Sequence, residues 1–277
     1  MSDRRLRLAE LRLILPREHG AWAMLLIPLL VGLGVAGRLD APGLLFAGAA
    51  LALFLARYPM TCMMKRPRLR RERAWWGWTL VYLLLAGGFT LPLLSRYGRW
   101  GLVAIVGVAG LLMIAYLVGV ARRAEMTVGG EWLGIAGLTL AAPGAYYAAT
   151  SALDRTALLL WPINLLYFGG TVFYIKLKVR EQPRRPAPEG LWQKLVHGRA
   201  TILYHLFAIG VVLALASLGW VPALVPVAFA PCLAKALRGA LTWGGRPHMV
   251  RLGLIEVFHA VAFGLLLLLA YRQPWAP

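Results

Sequence analysis

Along most of the chain, apolar residues run in long blocks instead of alternating with polar ones. Nine such blocks can be drawn, at 19–37, 42–57, 77–94, 100–121, 132–150, 156–175, 201–218, 220–237 and 252–270. A helix rises 1.5 Å per residue, so about 20 apolar residues cross the ~30 Å hydrocarbon core of a bilayer. The pattern therefore predicts an all-α, polytopic membrane protein of nine transmembrane helices. The connections near 38–41, 95–99, 151–155 and 219 are short, which favours antiparallel neighbours. Those near 58–76, 122–131, 176–200 and 238–251 are long. Residues 1–17 differ. Arg4, Arg5, Arg7, Arg12 and Arg17 interleave with Leu6, Leu8, Leu11 and Leu13. A signal peptide needs a continuous apolar core, so this stretch is expected to be a basic interfacial segment. Residues 18–275 form the expected transmembrane domain.

Composition agrees with the pattern. Of 277 residues, 60% are hydrophobic and 15% charged, against about 25% charged in soluble domains. A soluble enzyme, a disordered tail and a disulfide scaffold are excluded. Cys62 and Cys232 have no metal-binding or disulfide spacing. The formal net charge is +19, which in a soluble chain would suggest nucleic acid. Its distribution says otherwise. With Arg57 and Lys235 counted in the loops they adjoin, the N-terminal segment and the long loops hold 25 of the 30 Lys and Arg. The short loops and the C-terminus hold 5. Excess Lys and Arg mark the cytoplasmic side, which places the N-terminus inside and the C-terminus outside. The basic loops lack interleaved aromatics, so no nucleic-acid partner is expected; the expected partner is the lipid bilayer.

Prolines fall inside several blocks: Pro28, Pro92, Pro143, Pro162, Pro222, Pro226 and Pro231. Membrane helices tolerate them where neighbours satisfy the freed carbonyls. The last three predict a bend in the eighth span. A weak repeat joins Thr127-Val128-Gly129-Gly130, after the fourth span, to Thr242-Trp243-Gly244-Gly245, after the eighth. It suggests two parallel halves, about 18–130 and 131–245, plus a ninth helix at 252–270.

Ionisable groups inside spans are costly and are functional candidates by default. Here they crowd the cytoplasmic edge. Glu18 and His19 open span one, Arg57 and Tyr58 end span two, and Lys65 follows in the loop. Tyr174, Lys176, Lys178 and Arg180 end span six. His205 lies early in span seven, and Glu256 and His259 early in span nine. Glu256 and His259 are spaced i,i+3 and share a helix face. That spacing suits a metal, a structural hydrogen bond or proton handling; a di-metal site needs a second such pair, which the chain lacks. Glu18 also suits the positive end of a helix dipole. The basic side chains can snorkel or simply follow the orientation rule. If they form a site, it is a cytoplasm-facing cavity that takes an anion. Glu18, His19, Glu256 and His259 are its proton-handling candidates. Arg57, Tyr58, Lys65, Tyr174, Lys176, Lys178, Arg180 and His205 are its substrate contacts.

The stretch Leu15-Pro16-Arg17-Glu18-His19-Gly20-Ala21-Trp22-Ala23-Met24-Leu25 closely resembles the start of YwiC-like bacterial membrane proteins. Phe173-Tyr174-Ile175-Lys176-Leu177-Lys178-Val179-Arg180-Glu181 resembles a later stretch of them, and the similarity covers most of the chain. That resemblance implies a bacterial cytoplasmic membrane. A wider resemblance is to the UbiA-type intramembrane prenyltransferases. It rests on the polar start of span one leading through a Leu-rich run to Pro28, and on Tyr174 followed by Arg180-Glu181. It implies a nine-helix bundle with a site in the loops after helices two and six, and an isoprenoid diphosphate held by Mg²⁺ on Asp-rich motifs. This chain departs there. Arg57–Arg71 holds no acid, and position 178 is Lys. Mg²⁺ needs carboxylates. The expected function is thus a divergent UbiA-like enzyme acting on an anionic amphiphile, an anionic lipid or isoprenoid, without Asp-bound Mg²⁺. The cofactor is unknown. A lipid or anion transporter or binding protein, or a non-catalytic accessory factor, are the alternatives.

Overall fold

The computed structural model of the chain describes residues 16, 19–244 and 247–273, with the side chain of His19 excluded. Glu18 and nearly all of the basic segment 1–17 therefore lie outside the described residues, as does the His19 side chain. Within them the chain is helical and contains no strand.

Three helices begin on a polar cap supplied by the preceding turn. Asp40 accepts from the Gly43 amide at 3.0 Å and starts α2 (Ala41–Lys65); α1 is His19–Ala36. Thr127 accepts from the Gly130 amide at 3.1 Å and starts α5 (Val128–Thr139). Asp154 accepts from the Ala157 amide at 2.9 Å and starts α7 (Arg155–Lys176). Each cap satisfies an amide that the first helical turn leaves without a partner. Between them lie α3 (Arg73–Ser95), α4 (Leu102–Ala121) and α6 (Ala141–Thr150). The chain continues through α8 (Leu191–His197), α9 (Arg199–Ser217), α10 (Ala230–Leu241) and α11 (Met249–Arg272).

Among the described residues, six helical stretches are long and apolar enough to cross a membrane: Ala41–Lys65, Arg73–Ser95, Leu102–Ala121, Arg155–Arg184, Arg199–Ser217 and Met249–Arg272. Gly20–Ala36 is a shorter apolar helix. The two remaining expected spans are broken. At 132–150, α5 and α6 meet at Leu140, because Pro143 has no amide to give the Thr139 carbonyl. At 220–237, a 3₁₀ turn (Val225–Phe229) precedes α10, and Pro231 sits in the first turn of that helix. Pro28, Pro59, Pro92 and Pro162 lie inside unbroken helices. Through Pro59, α2 runs two turns past the expected end of span two, so Arg57, Tyr58 and Lys65 are helical and not loop residues.

Two apolar cores flank α1. Leu25, Leu29 and Leu33 point into the first, with Phe46, Phe54, Leu102 and Ala145. Val31 points into the second, with Tyr167, Phe168, Val212, Phe229 and Phe263; Ile27 and Val35 pack against it. Spacings of four and eight residues put each set on its own stripe of the helix. Gly32 lets α1 approach α6, since a Cβ there would collide with the Ala142 carbonyl oxygen. Outside the cores, large apolar side chains face outward, among them Leu84, Leu111, Phe207 and Phe258. In water such a belt would aggregate; in lipid it is the expected surface.

Candidate functional site

Helix α2 builds one wall of a cavity. Phe46, Ala49, Ala50, Leu53, Phe54, Arg57 and Met60 recur along one face of it. Facing them, α4 supplies Leu102, Ile105, Val106, Ala109, Met113 and Tyr116. Leu133, Gly134, Gly137 and Leu138 of α5 close the floor. The cavity measures about 250 Å³, near the lower end for small-molecule sites. From Phe46 to Met60 it runs along α2 for about 21 Å at 1.5 Å per residue. Among the described residues, Arg57 is the only charged side chain that lines it, and Thr90 and Tyr116 bring the only hydroxyls. The Arg57 guanidinium lies 5.3 Å from the Tyr116 ring centroid and 5.7 Å from that of Phe54. Cation–π contact with two rings holds the charge at one end of an apolar channel. That end is the one from which the basic loops extend, since α2 and α4 finish there and α5 begins.

The other expected contacts lie elsewhere. Glu256 is buried in α11 and gives both carboxylate oxygens to Lys235 of α10, at 2.7 and 2.8 Å. Lys235 also sits 4.7 Å from the centroid of the buried Tyr174 ring. His259, half-buried, turns Nδ1 to the carbonyl of Ile255 at 2.8 Å in its own helix. The spacing of Glu256 and His259 thus places them on one helix, while the strong partner of Glu256 comes from its neighbour. His205 is buried, with Nδ1 2.7 Å from the Thr201 carbonyl, and its ring packs on the backbone of Gly170.

The cations at the end of α7 hold two loops. A π turn at Leu177–Glu181 continues the helix. On one side, Lys176 pairs with Glu131 at 2.8 Å, and Lys176 and Arg180 both donate to the Met126 carbonyl, at 3.3 and 3.4 Å. On the other, Lys178 donates to the Thr242 carbonyl at 2.8 Å and to Gln182 Oε1 at 3.0 Å. Lys65 pairs with Glu125 at 3.3 Å. Tyr58 is half-buried on α2 beside Arg57 and does not line the cavity. Of the expected substrate contacts, then, only Arg57 lines the cavity. Lys176, Lys178 and Arg180 tie loops to α7. Tyr174 joins Lys235 and Glu256.

A carboxylate-held metal does not fit these residues. Glu125, Glu131, Glu181 and Glu256 each pair with a Lys or Arg, and Glu72 accepts from the Trp75 indole at 3.0 Å. Among the described residues no three His, Cys, Asp or Glu gather as a ligand set. Lys235 was not singled out from the sequence as a site residue. Its signal was present: Lys235 and Glu256 are opposite charges inside apolar blocks.

The profile of the family described as YwiC-like protein matches residues 15–146, which include α1, α2, α4, α5 and the cavity between them. The uncharacterised protein YwiC of Bacillus subtilis (strain 168) is 28% identical over 258 residues, covering 91% of this chain and 96% of its own. An uncharacterised protein of Haemophilus influenzae is 25% identical over 260 residues, covering 94% of this chain and 99% of its own. No solved structure matches. The profile match over residues 15–146 and these near full-length alignments show that the chain is similar to YwiC-like proteins.

Proposed function

We propose that the chain binds an amphiphile with an anionic head at the cytoplasmic face of a bacterial inner membrane. The head sits at Arg57 and the hydrocarbon chain in the channel below it. One observation carries this reading: among the described residues, one cation, Arg57, lines one end of a largely apolar cavity. An apolar lining suits a lipid or isoprenoid tail, and a guanidinium fork suits a phosphate or carboxylate. The orientation rests on the 25 to 5 split of basic residues. Nine crossings, with α5–α6 and the 3₁₀ turn plus α10 counted as one each, are part of the same reading. Lys178 and Glu256 do not line the cavity, which supports a binding site centred on Arg57.

Lipids retained through purification in mild detergent test it by mass spectrometry. An anionic amphiphile should be enriched over its share of the membrane. Arg57→Gln should lower that enrichment about tenfold, the worth of roughly 1.4 kcal/mol, whereas Lys178→Ala should leave it. Loss in Lys178→Ala with retention in Arg57→Gln would place the head in the other half and overturn the reading.

A further inference from the structure

The cavity is not sealed on its lipid side. Leu83 of α3 and Val106 of α4 line it and are nonetheless 44% and 38% exposed. Gly110 of α4 also lines it and is exposed. The two helices are joined by a short turn, yet neither packs along the other: α3 lies on α2, and α4 lies on α5 and α2. Small residues in membrane helices ordinarily mark close helix contact. Here they border open space, for a Cβ added at Gly87, Gly107 or Gly110 meets no atom within 4 Å.

The depth of this gap matters. Leu83 stands near the middle of Arg73–Ser95 and Gly110 near the middle of Leu102–Ala121, with Val106 just over one turn in from the start of that helix. Each is more than a helical turn from either helix end, so the gap faces hydrocarbon and not headgroups. A water-soluble anion does not arrive there. A chain already dissolved in the bilayer does.

We infer that the cavity loads sideways, through the gap between α3 and α4, with the hydrocarbon chain of a bilayer-resident anionic lipid. This rests on the amphiphile reading of the cavity and names its ligand class. The chain passes between Leu83 and Val106 and lies along α2. The head stays at the basic end and meets Arg57. From Arg57 down to Phe46, α2 offers about 16 Å of apolar wall for the tail.

Gly110→Trp tests the route, because the added Cβ collides with nothing and the indole fills the gap. The whole chain is reconstituted in phosphatidylcholine vesicles containing phosphatidylglycerol with a photoreactive group midway along one acyl chain. Cross-links are mapped by mass spectrometry. In the wild type, Leu53 and Leu138 inside the cavity should be labelled along with lipid-facing Leu254. Gly110→Trp should cut labelling of Leu53 and Leu138 about fivefold and leave Leu254 unchanged; Gly110→Ala should behave as wild type. Equal interior labelling in the wild type and Gly110→Trp would overturn the lateral route while leaving the amphiphile reading standing. No interior labelling in the wild type, with Leu254 labelled, would overturn both. An unchanged unfolding midpoint for Gly110→Trp shows that a loss comes from the gap and not from misfolding.

Discussion

Lys235 and Glu256 show how a membrane interior handles charge. Each alone would cost about 2.5–3.5 kcal/mol at the centre of a span. Together they neutralise each other through two hydrogen bonds, and the Tyr174 ring covers the ammonium. Removing one partner strands the other. Lys235→Met or Glu256→Leu alone should therefore destabilise the protein by about 3–5 kcal/mol in detergent unfolding, and the double variant should recover most of that loss. An additive double variant would show that the pair contributes no coupling. Both charges were visible in the sequence, but their pairing was not. Glu256 has a partner of suitable type three residues away in His259, and local spacing favours it. The actual partner lies 21 residues away, across a loop whose path no periodicity encodes. Arg57 was legible as a candidate for the opposite reason: a cation near the end of an apolar block is conspicuous wherever the chain goes next.

At the level of elements, the apolar blocks located the helices well and their ends poorly. Helix α2 continues to Lys65 because Met60, Met63 and Met64 extend its apolar character and Pro59 does not break it. Helix α7 continues into its π turn, which sends Lys176 and Arg180 to the Met126 carbonyl and Lys178 to that of Thr242. That Lys176, Lys178 and Arg180 gather at the end of span six was readable from the sequence; what they grip was not. If Lys178 clamps the end of α10, Lys178→Ala should speed amide exchange in Lys235–Leu241 while leaving α11 unchanged. The Thr127 cap should be worth about 1 kcal/mol, so Thr127→Ala should lower stability by that much and Thr127→Ser should not. Nearby, Glu125 joins the loop before α5 to the end of α2. Its own backbone amide, then Lys65, hold its carboxyl below the usual range against the opposing effect of burial. A depressed value means the contact contributes fully above the unfolded pKa of about 4.3 and fades as pH falls through the lower folded value. The stability difference between wild type and Glu125→Gln should thus persist from neutral pH to about 4 and shrink below it.

Over the whole molecule, the expected single mouth resolves into separate places. One half holds an apolar channel headed by Arg57; the other holds a packed aromatic core capped by the Lys235–Glu256 pair. Helix α1 serves both, with a stripe of leucines on one side and Val31 on the other. Composition carries no record of such a division, because an apolar residue lining a void and one filling a core look alike in a hydropathy plot. If the basic loops lie inside, a reporter active only outside the cytoplasm should work when inserted at Gly98 or Gly219 and fail at Gly190. The ion pair also bears on how the chain is made. Lys235 leaves the ribosome before Glu256, on a twelve-residue helix that carries its charge on the buried face. Until α11 has been synthesised, that face has no counter-ion. Helix α10 should therefore wait at the mouth of the translocon and enter lipid only with its successor, and a chain stopped after Thr242 should leave α10 open to protease.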